Sequence, residues 1–158
     1  ILVRVIKMKV VVQRCIKSSV EVDNKIVGCI DKGLMLLVGF TYGDNEDIID
    51  YMVDKIINLR IFDDENGVMN LSLLDVGGSI LSVSQFTLYA DSSKGRRPSY
   101  IKALRGVDAT KLYDLFNEKL GLKNVEVETG IFGASMQVSL INDGPITIIL
   151  EKENRDEK

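Results

Sequence analysis

Gly33-Leu34-Met35-Leu36-Leu37-Val38-Gly39-Phe40-Thr41 is a continuous apolar run bounded by glycines. It shows no alternation of polar and apolar positions, and that pattern suits a strand buried on both faces. It is far too short to cross a bilayer, and the N-terminus carries no convincing signal peptide, so a cytoplasmic protein without a membrane association is expected. Upstream, Lys9 to Ile16 and Val20 to Ile30 are rich in β-branched residues and flank two turn-like segments, Lys17-Ser18-Ser19 and Asp23-Asn24. They predict successive antiparallel strands.

Downstream, Asp44-Asn45-Glu46-Asp47 supplies an N-cap and first-turn acids ahead of Ile48, Met52, Ile56 and Leu59, which recur along one helical face. A short strand is expected at Arg60 to Phe62, then a turn at Asp63-Asp64-Glu65-Asn66-Gly67, and a strand from Ser79 to Leu88 after Gly77-Gly78. Asp108 is expected to cap a second helix carrying Leu112, Leu115, Phe116 and Leu120, with Gly121 in the left-handed position after it. Alternation at Val125, Val127 and Thr129, and again at Met136, Val138 and Leu140, precedes a last strand at Ile146 to Leu150. The fold class is therefore α+β, a single domain of mainly antiparallel, barrel-like sheet with two principal helices. Met8 reads as a natural initiator, so the domain is placed at residues 8–150, with 1–7 as upstream sequence and 151–158 as a charged tail expected to fray.

The 158 residues are 46% hydrophobic and 27% charged, enough for one substantial core without staples. Cys15 and Cys29 are expected to be free thiols. The net charge of −3 does not advertise a general nucleic-acid binder. The distribution is less even, because Lys94, Arg96, Arg97, Lys102 and Arg105 cluster without an acidic neighbour. That segment is either a solvated loop or a local phosphate-contacting patch.

The chain contains no histidine. This removes the commonest general base and the usual activator of a serine. Ser84, in Ser84-Gln85-Phe86-Thr87-Leu88, lacks both a Gly-x-Ser-x-Gly elbow and a triad partner, and Thr87 would need another base to act as nucleophile. What survives is main chain: N–H groups around Gln85 and Phe86, if they leave the ladder, hold a developing oxyanion without any titratable group. Gly144-Pro145 reads first as a turn, and Phe132 and Met136 read first as core residues, although an aromatic and a thioether beside a pocket also stack on a base. With neither imidazole nor a close cysteine pair, no structural zinc and no cofactor are expected.

Ser84-Gln85-Phe86-Thr87-Leu88 together with Asn142-Asp143-Gly144-Pro145-Ile146-Thr147 resembles the paired signature of the D-aminoacyl-tRNA deacylases. The resemblance runs from Met8 to about Leu150, with Met8-Lys9-Val10-Val11-Val12-Gln13-Arg14, Lys94-Gly95-Arg96-Arg97-Pro98-Ser99-Tyr100 and Phe132-Gly133-Ala134-Ser135-Met136 similar to the family's other segments. It implies a homodimeric cytosolic hydrolase that cleaves the ester between a D-amino acid and the terminal adenosine of tRNA; glycine, with no side chain for a rejecting site to meet, is expected to be released too. It also implies a cis Gly144-Pro145 bond on a loop that enters the partner subunit's active site. Gly144 and Pro145 would aim their carbonyls at the amino acid, with Arg14 fixing the loop. Ser84, Gln85 and Phe86 would line the catalytic pocket, Thr87 matches the residue once proposed as nucleophile, and Phe132 and Met136 would lie at the terminal adenine.

Chirality would then be policed by rejection, since rigid carbonyls collide with an L side chain and exclude it without a fitted pocket for any D side chain. For the chemical step, attack by water assisted by the 2′-hydroxyl of the terminal ribose is preferred over acylation of Thr87. The rival reading is a noncatalytic nucleic-acid-binding module, for which the chain lacks a long basic extension.

Overall fold

The computed structural model describes residues 2–157, with side chains described for residues 6–153. Ten regular elements follow one another: β1 (Leu2–Val22), β2 (Lys25–Ile30), β3 (Gly33–Gly39), α1 (Glu46–Asn58), β4 (Phe62–Asp63), β5 (Met69–Leu71), β6 (Ser79–Ser84), α2 (Gly106–Gly121), β7 (Val127–Thr129) and β8 (Gln137–Glu157). The main sheet runs β2-β1-β3-β6-β7, with β8 on the other side of β1, while β4 and β5 form a separate pair. Most pairings are antiparallel, as expected, but β3-β6 and β6-β7 are parallel.

The glycine-bounded run is indeed a strand covered on both faces. Leu34, Leu36 and Val38 join a core with Val10, Val12 and the inner faces of both helices, whereas Met35 joins Cys15, Val20, Ile30, Leu81 and Val83 in a second core. The parallel neighbour β6 comes so close at Gly33 that a Cβ there would collide with the backbone of Ser79. The sheet curls as well: in β2, a Cβ on Gly28 would reach within 2.9 Å of Thr129 O in β7.

Helix α1 forms as its sequence demands. Asn45 is the N-cap and accepts the Ile48 N–H at 3.1 Å, Glu46 and Asp47 sit in the first turn, and Ile48, Ile49, Met52, Val53, Ile56 and Ile57 are buried. Asp44 is not part of that cap; its carboxylate accepts the N–H groups of Thr41 and Met8, tying the end of β3 to β1. Burial pushes its pKa up to about 6 despite those bonds. Helix α2 packs Ala109, Tyr113, Phe116 and Leu120 inward, and Lys119 bridges to Glu46 and Asp50 of α1 at 2.9 and 2.6 Å.

Several boundaries differ from the sequence-based expectation. Lys17-Ser18-Ser19 is not a turn: β1 continues through it, exchanging β3 for β2 as its partner, so its backbone groups stay paired without a reversal. The true turn is Asp23-Asn24, both at positive φ. The predicted strand at Arg60 to Phe62 is the shorter β4, and the strand predicted to reach Leu88 stops at Ser84, giving way to a 3-10 turn over Phe86–Tyr89. Arg105 rather than Asp108 occupies the N-cap of α2. Gly121 is the helix's last residue, and the left-handed position falls on Asn124 (φ +61°). The two strands expected on either side of Gly144-Pro145 are one long strand, β8, whose charged end pairs with residues 2–7 of β1 instead of fraying.

Candidate active site

The long antiparallel ladder of β1 and β8 breaks at one informative place. Gln13 faces Thr147 and Cys15 faces Asn142, so Asp143 to Ile146 loop out opposite the single residue Arg14. Asn142 closes the loop: its Oδ1 accepts the Ile146 N–H at 2.7 Å, and its Nδ2 donates to Thr147 Oγ1 at 3.1 Å. Arg14, only 7% exposed, grips the loop from below. Its Nε donates to Asp143 O at 2.9 Å, its Nη1 donates to Ile61 O at 2.9 Å, and the carboxylates of Asp63 and Asp143 lie at 3.3 and 3.5 Å. The Gly144-Pro145 bond is cis and both residues are exposed.

A cavity of about 510 Å³ opens elsewhere, at the carboxyl ends of the parallel strands β3 and β6. Such ends are where ligands bind in parallel sheets, because the strands stop there and the loops diverge. Its walls come from Val38 to Phe40, Val83 to Phe86, Leu104 to Gly106, Ala109, and the segment containing Phe132, Ala134 and Met136. Ser84, Gln85, Phe86, Phe132 and Met136 are thus brought together in one place. Thr87 is not on the wall, and its Oγ1 accepts the Gln85 side-chain amide. Arg14, Gly144 and Pro145 are also absent from the lining; Arg14 bonds instead to Asp143, the residue before Gly144.

The expected main-chain donors need one correction. Gln85 N–H stays in the ladder, donating to Val38 O at 2.8 Å, and is therefore not free to hold an oxyanion. The chain then tightens, and the first bond of the 3-10 turn runs from Leu88 N–H to Gln85 O at 3.3 Å. This leaves the N–H groups of Phe86 and Thr87 without intrahelical acceptors, as at any helix start.

Below the cavity floor, Tyr113 donates its hydroxyl to Ser82 O at 2.8 Å, and its ring lies 5.8 Å from that of Phe132. Burial raises the Tyr113 pKa. Among the lining residues the one ionisable side chain is Arg105, a permanent cation. The wall of the cavity therefore supplies no general base. Among the described residues, no cluster of three or more His, Cys, Asp or Glu has the geometry to hold a metal ion.

Comparison with known proteins decides the family, because residues 11–151 match the D-Tyr-tRNA(Tyr) deacylases. The chain belongs to that family. A D-aminoacyl-tRNA deacylase of Brevibacillus brevis is 59% identical over 144 residues, 91% of this chain and 99% of that protein. One from Listeria monocytogenes is 54% identical over 151 residues, covering 96% and 100%. Among solved structures, a c-Myc DNA unwinding element binding protein superposes with a TM-score of 0.85 at 40% identity, covering 91% of this chain and 98% of that one.

Sequence reasoning missed two things here. Tyr100 stands edge-on to Phe86 with ring centroids 5.2 Å apart, and the Arg105 guanidinium lies over the same ring at 4.2 Å. The Ser- and Gly-rich basic loop hid both, since neither has a periodic position in an element. The free state of Cys15, buried, and Cys29, exposed, agrees with expectation. No helix among the described residues is long and apolar enough to cross a membrane.

Proposed function

We propose that the chain hydrolyses the ester joining a D-amino acid to the 3′-terminal adenosine of tRNA, and spares the L-amino acid esters. The observation that carries this reading is the makeup of the cavity. It lies on the Ser84-Gln85-Phe86 signature of a deacylase family, yet its wall holds no side chain able to take a proton. Chemistry in such a site has to use groups the substrate brings.

In this reading the adenine lies against Phe132 and Met136, and the scissile carbonyl faces the turn after Ser84. The N–H group of Phe86, which has no intrahelical acceptor, is free to receive its developing negative charge. The ribose 2′-hydroxyl assists the attacking water, which explains how hydrolysis proceeds without an enzyme base. Thr87 does not act as a nucleophile; its absence from the wall and its bonded hydroxyl favour this.

The handedness filter comes from a second copy of the chain. Gly144 and Pro145 lie outside the cavity of their own subunit, exposed on a loop fixed by Arg14 and Asn142. A homodimer in which this loop enters the partner's cavity places its carbonyl oxygens at the amino-acid end. Ile141 and Ile149 on β8, 56% and 66% exposed, supply an apolar surface for that pairing. An L side chain then meets rigid oxygens, while a D side chain points away and glycine has nothing to collide. Lys94, Arg96 and Arg97 face solvent and meet acceptor-end phosphates, and so few contacts imply a shallow salt dependence. The working compartment is the cytoplasm, where aminoacyl-tRNA is found.

The test is release of amino acid from D-tyrosyl-, L-tyrosyl- and glycyl-tRNA by the purified chain. D-tyrosyl and glycyl esters should be cleaved, with the L-ester untouched on the same timescale; equal cleavage of both enantiomers rejects the filter. The resemblance in fold to a DNA unwinding element binding protein supports a second reading, a noncatalytic nucleic-acid-binding module. Tight tRNA binding without any release of amino acid would favour it.

A further inference from the structure

We propose that Arg105 binds the phosphate on the 5′ side of the terminal adenosine, so that the site recognises an RNA-linked ester rather than any aminoacyl nucleoside. The inference rests on the deacylase reading of the cavity. Once the base lies at Phe132 and Met136 and the ester at Ser84 to Phe86, one substituent of the ribose has no wall to meet: the 5′ oxygen, through which the rest of the RNA continues. It must leave through the mouth of the cavity.

Arg105 is the charged residue on that mouth. Among the described residues no carboxylate pairs with it, whereas its neighbour Lys102 is held by Asp91 at 3.7 Å. Its charge is therefore unspent. Its orientation is also set: the guanidinium stacks over Phe86 at 4.2 Å, and Phe86 is braced on its edge by Tyr100. Stacking uses one face of the planar group and leaves its N–H edge free for two parallel bonds to a phosphodiester. The positive end of α2, which begins at the next residue, adds to the same potential. A phosphate seated there also steadies Phe86, whose backbone N–H faces the ester. Arg105 would then link recognition of the RNA chain to the alignment of the oxyanion donor.

The experiment compares two small substrates that differ only in this phosphate: 3′-O-(D-tyrosyl)adenosine and its 5′-methylphosphate diester. The wild-type chain should show about a tenfold lower KM for the phosphodiester. Arg105→Met should erase that preference, and Arg105→Lys, which keeps the charge but loses the fork, should retain part of it. On tRNA, R105M should reduce the slope of log(kcat/KM) against log salt by about 0.7, the share of one single-stranded phosphate. Equal KM values for the two esters with wild-type protein, or an undiminished preference in R105M with an unchanged melting temperature, would overturn the assignment. Failure of the wild-type chain to cleave D-tyrosyl-tRNA would instead overturn the deacylase reading, and this inference with it.

Discussion

Replacing Arg14 by methionine keeps most of the side-chain volume and removes every polar contact beneath the Asp143 to Ile146 loop. Two of those contacts are hydrogen bonds from a buried cation to backbone carbonyls, each 2.9 Å long. Such charge-assisted bonds contribute about 1.5–3 kcal/mol apiece. The carboxylates of Asp63 and Asp143 are 52% and 44% exposed, so water largely compensates them and they add at most about 1 kcal/mol. A loss of about 3–7 kcal/mol follows, which for a domain of this size lowers the melting temperature by about 6–28 °C. The functional consequence is separable from stability. At 20 °C the variant should still be folded, but its Gly144 and Pro145 carbonyls are held only by Asn142, and their rejection of L side chains should weaken. Measured as kcat/KM on D- and L-tyrosyl-tRNA, discrimination should fall at least about tenfold, with Arg14→Lys in between. A folded R14M protein of full D-over-L selectivity would refute the idea that this arginine sets the filter.

Other expectations follow from the same geometry. Thr87→Ala should keep more than about a tenth of the wild-type rate on D-tyrosyl-tRNA, while a substrate ending in 2′-deoxyadenosine should be nearly inert; a covalent adduct trapped on Thr87 by mass spectrometry would reverse that order. Tyr113→Phe leaves Ser82 O without its 2.8 Å donor but keeps the ring beside Phe132, so urea denaturation should show a loss of about 1–2 kcal/mol with KM little changed. Asp44 provides a pH signature. In the folded chain it keeps its proton to about pH 6, whereas the unfolded carboxyl releases it near 3.8, so between those values the unfolded state binds fewer protons and stability falls as pH rises. The deficit, about 1–3 kcal/mol, is absent below pH 3.8 and complete above 6. Denaturation midpoints for wild type and Asp44→Asn should diverge across that window, and a constant difference from pH 4 to 7 would contradict it.

Local physics made some parts of this molecule legible and left others hidden. Helix α1 could be read because its cap, its acidic first turn and its buried stripe agree with one another. The doubly covered β3 could be read because an unbroken apolar run has few alternatives. Lys17 to Ser19 misled because polar residues in a long strand look like a turn unless the exchange of partner strand is known, and that is tertiary information. The end of β6 misled for a similar reason: Gln85 to Leu88 continues the apolar pattern, but tight packing at Gly39, where a Cβ would come within 3.0 Å of Gln85 O, leaves the chain to turn into a 3-10 helix. The signature residues were legible as a pair of motifs, yet no spacing rule shows that one motif lines a cavity and the other stands away from it. For Arg105 the charge was visible in the basic cluster, but its stacking on Phe86 was not. A basic residue in a basic loop looks solvated until its ring partner is seen.

The arrangement of the two motifs can be tested with mixed subunits. One variant carries Phe86→Pro at the start of the 3-10 turn, which removes the N–H donor from the cavity; a second carries Gly144→Val at the tip of the loop, where the backbone is at φ +135° and a side chain would crowd Ile146 and Arg14. Each alone should be inactive on D-tyrosyl-tRNA. After unfolding and refolding together in equal amounts, half the dimers are mixed and each carries one intact composite site, so about a quarter of the wild-type activity should return. If the mixture stays as inactive as its parents, each subunit builds its site from its own loop, and the account of a filter donated between chains is wrong.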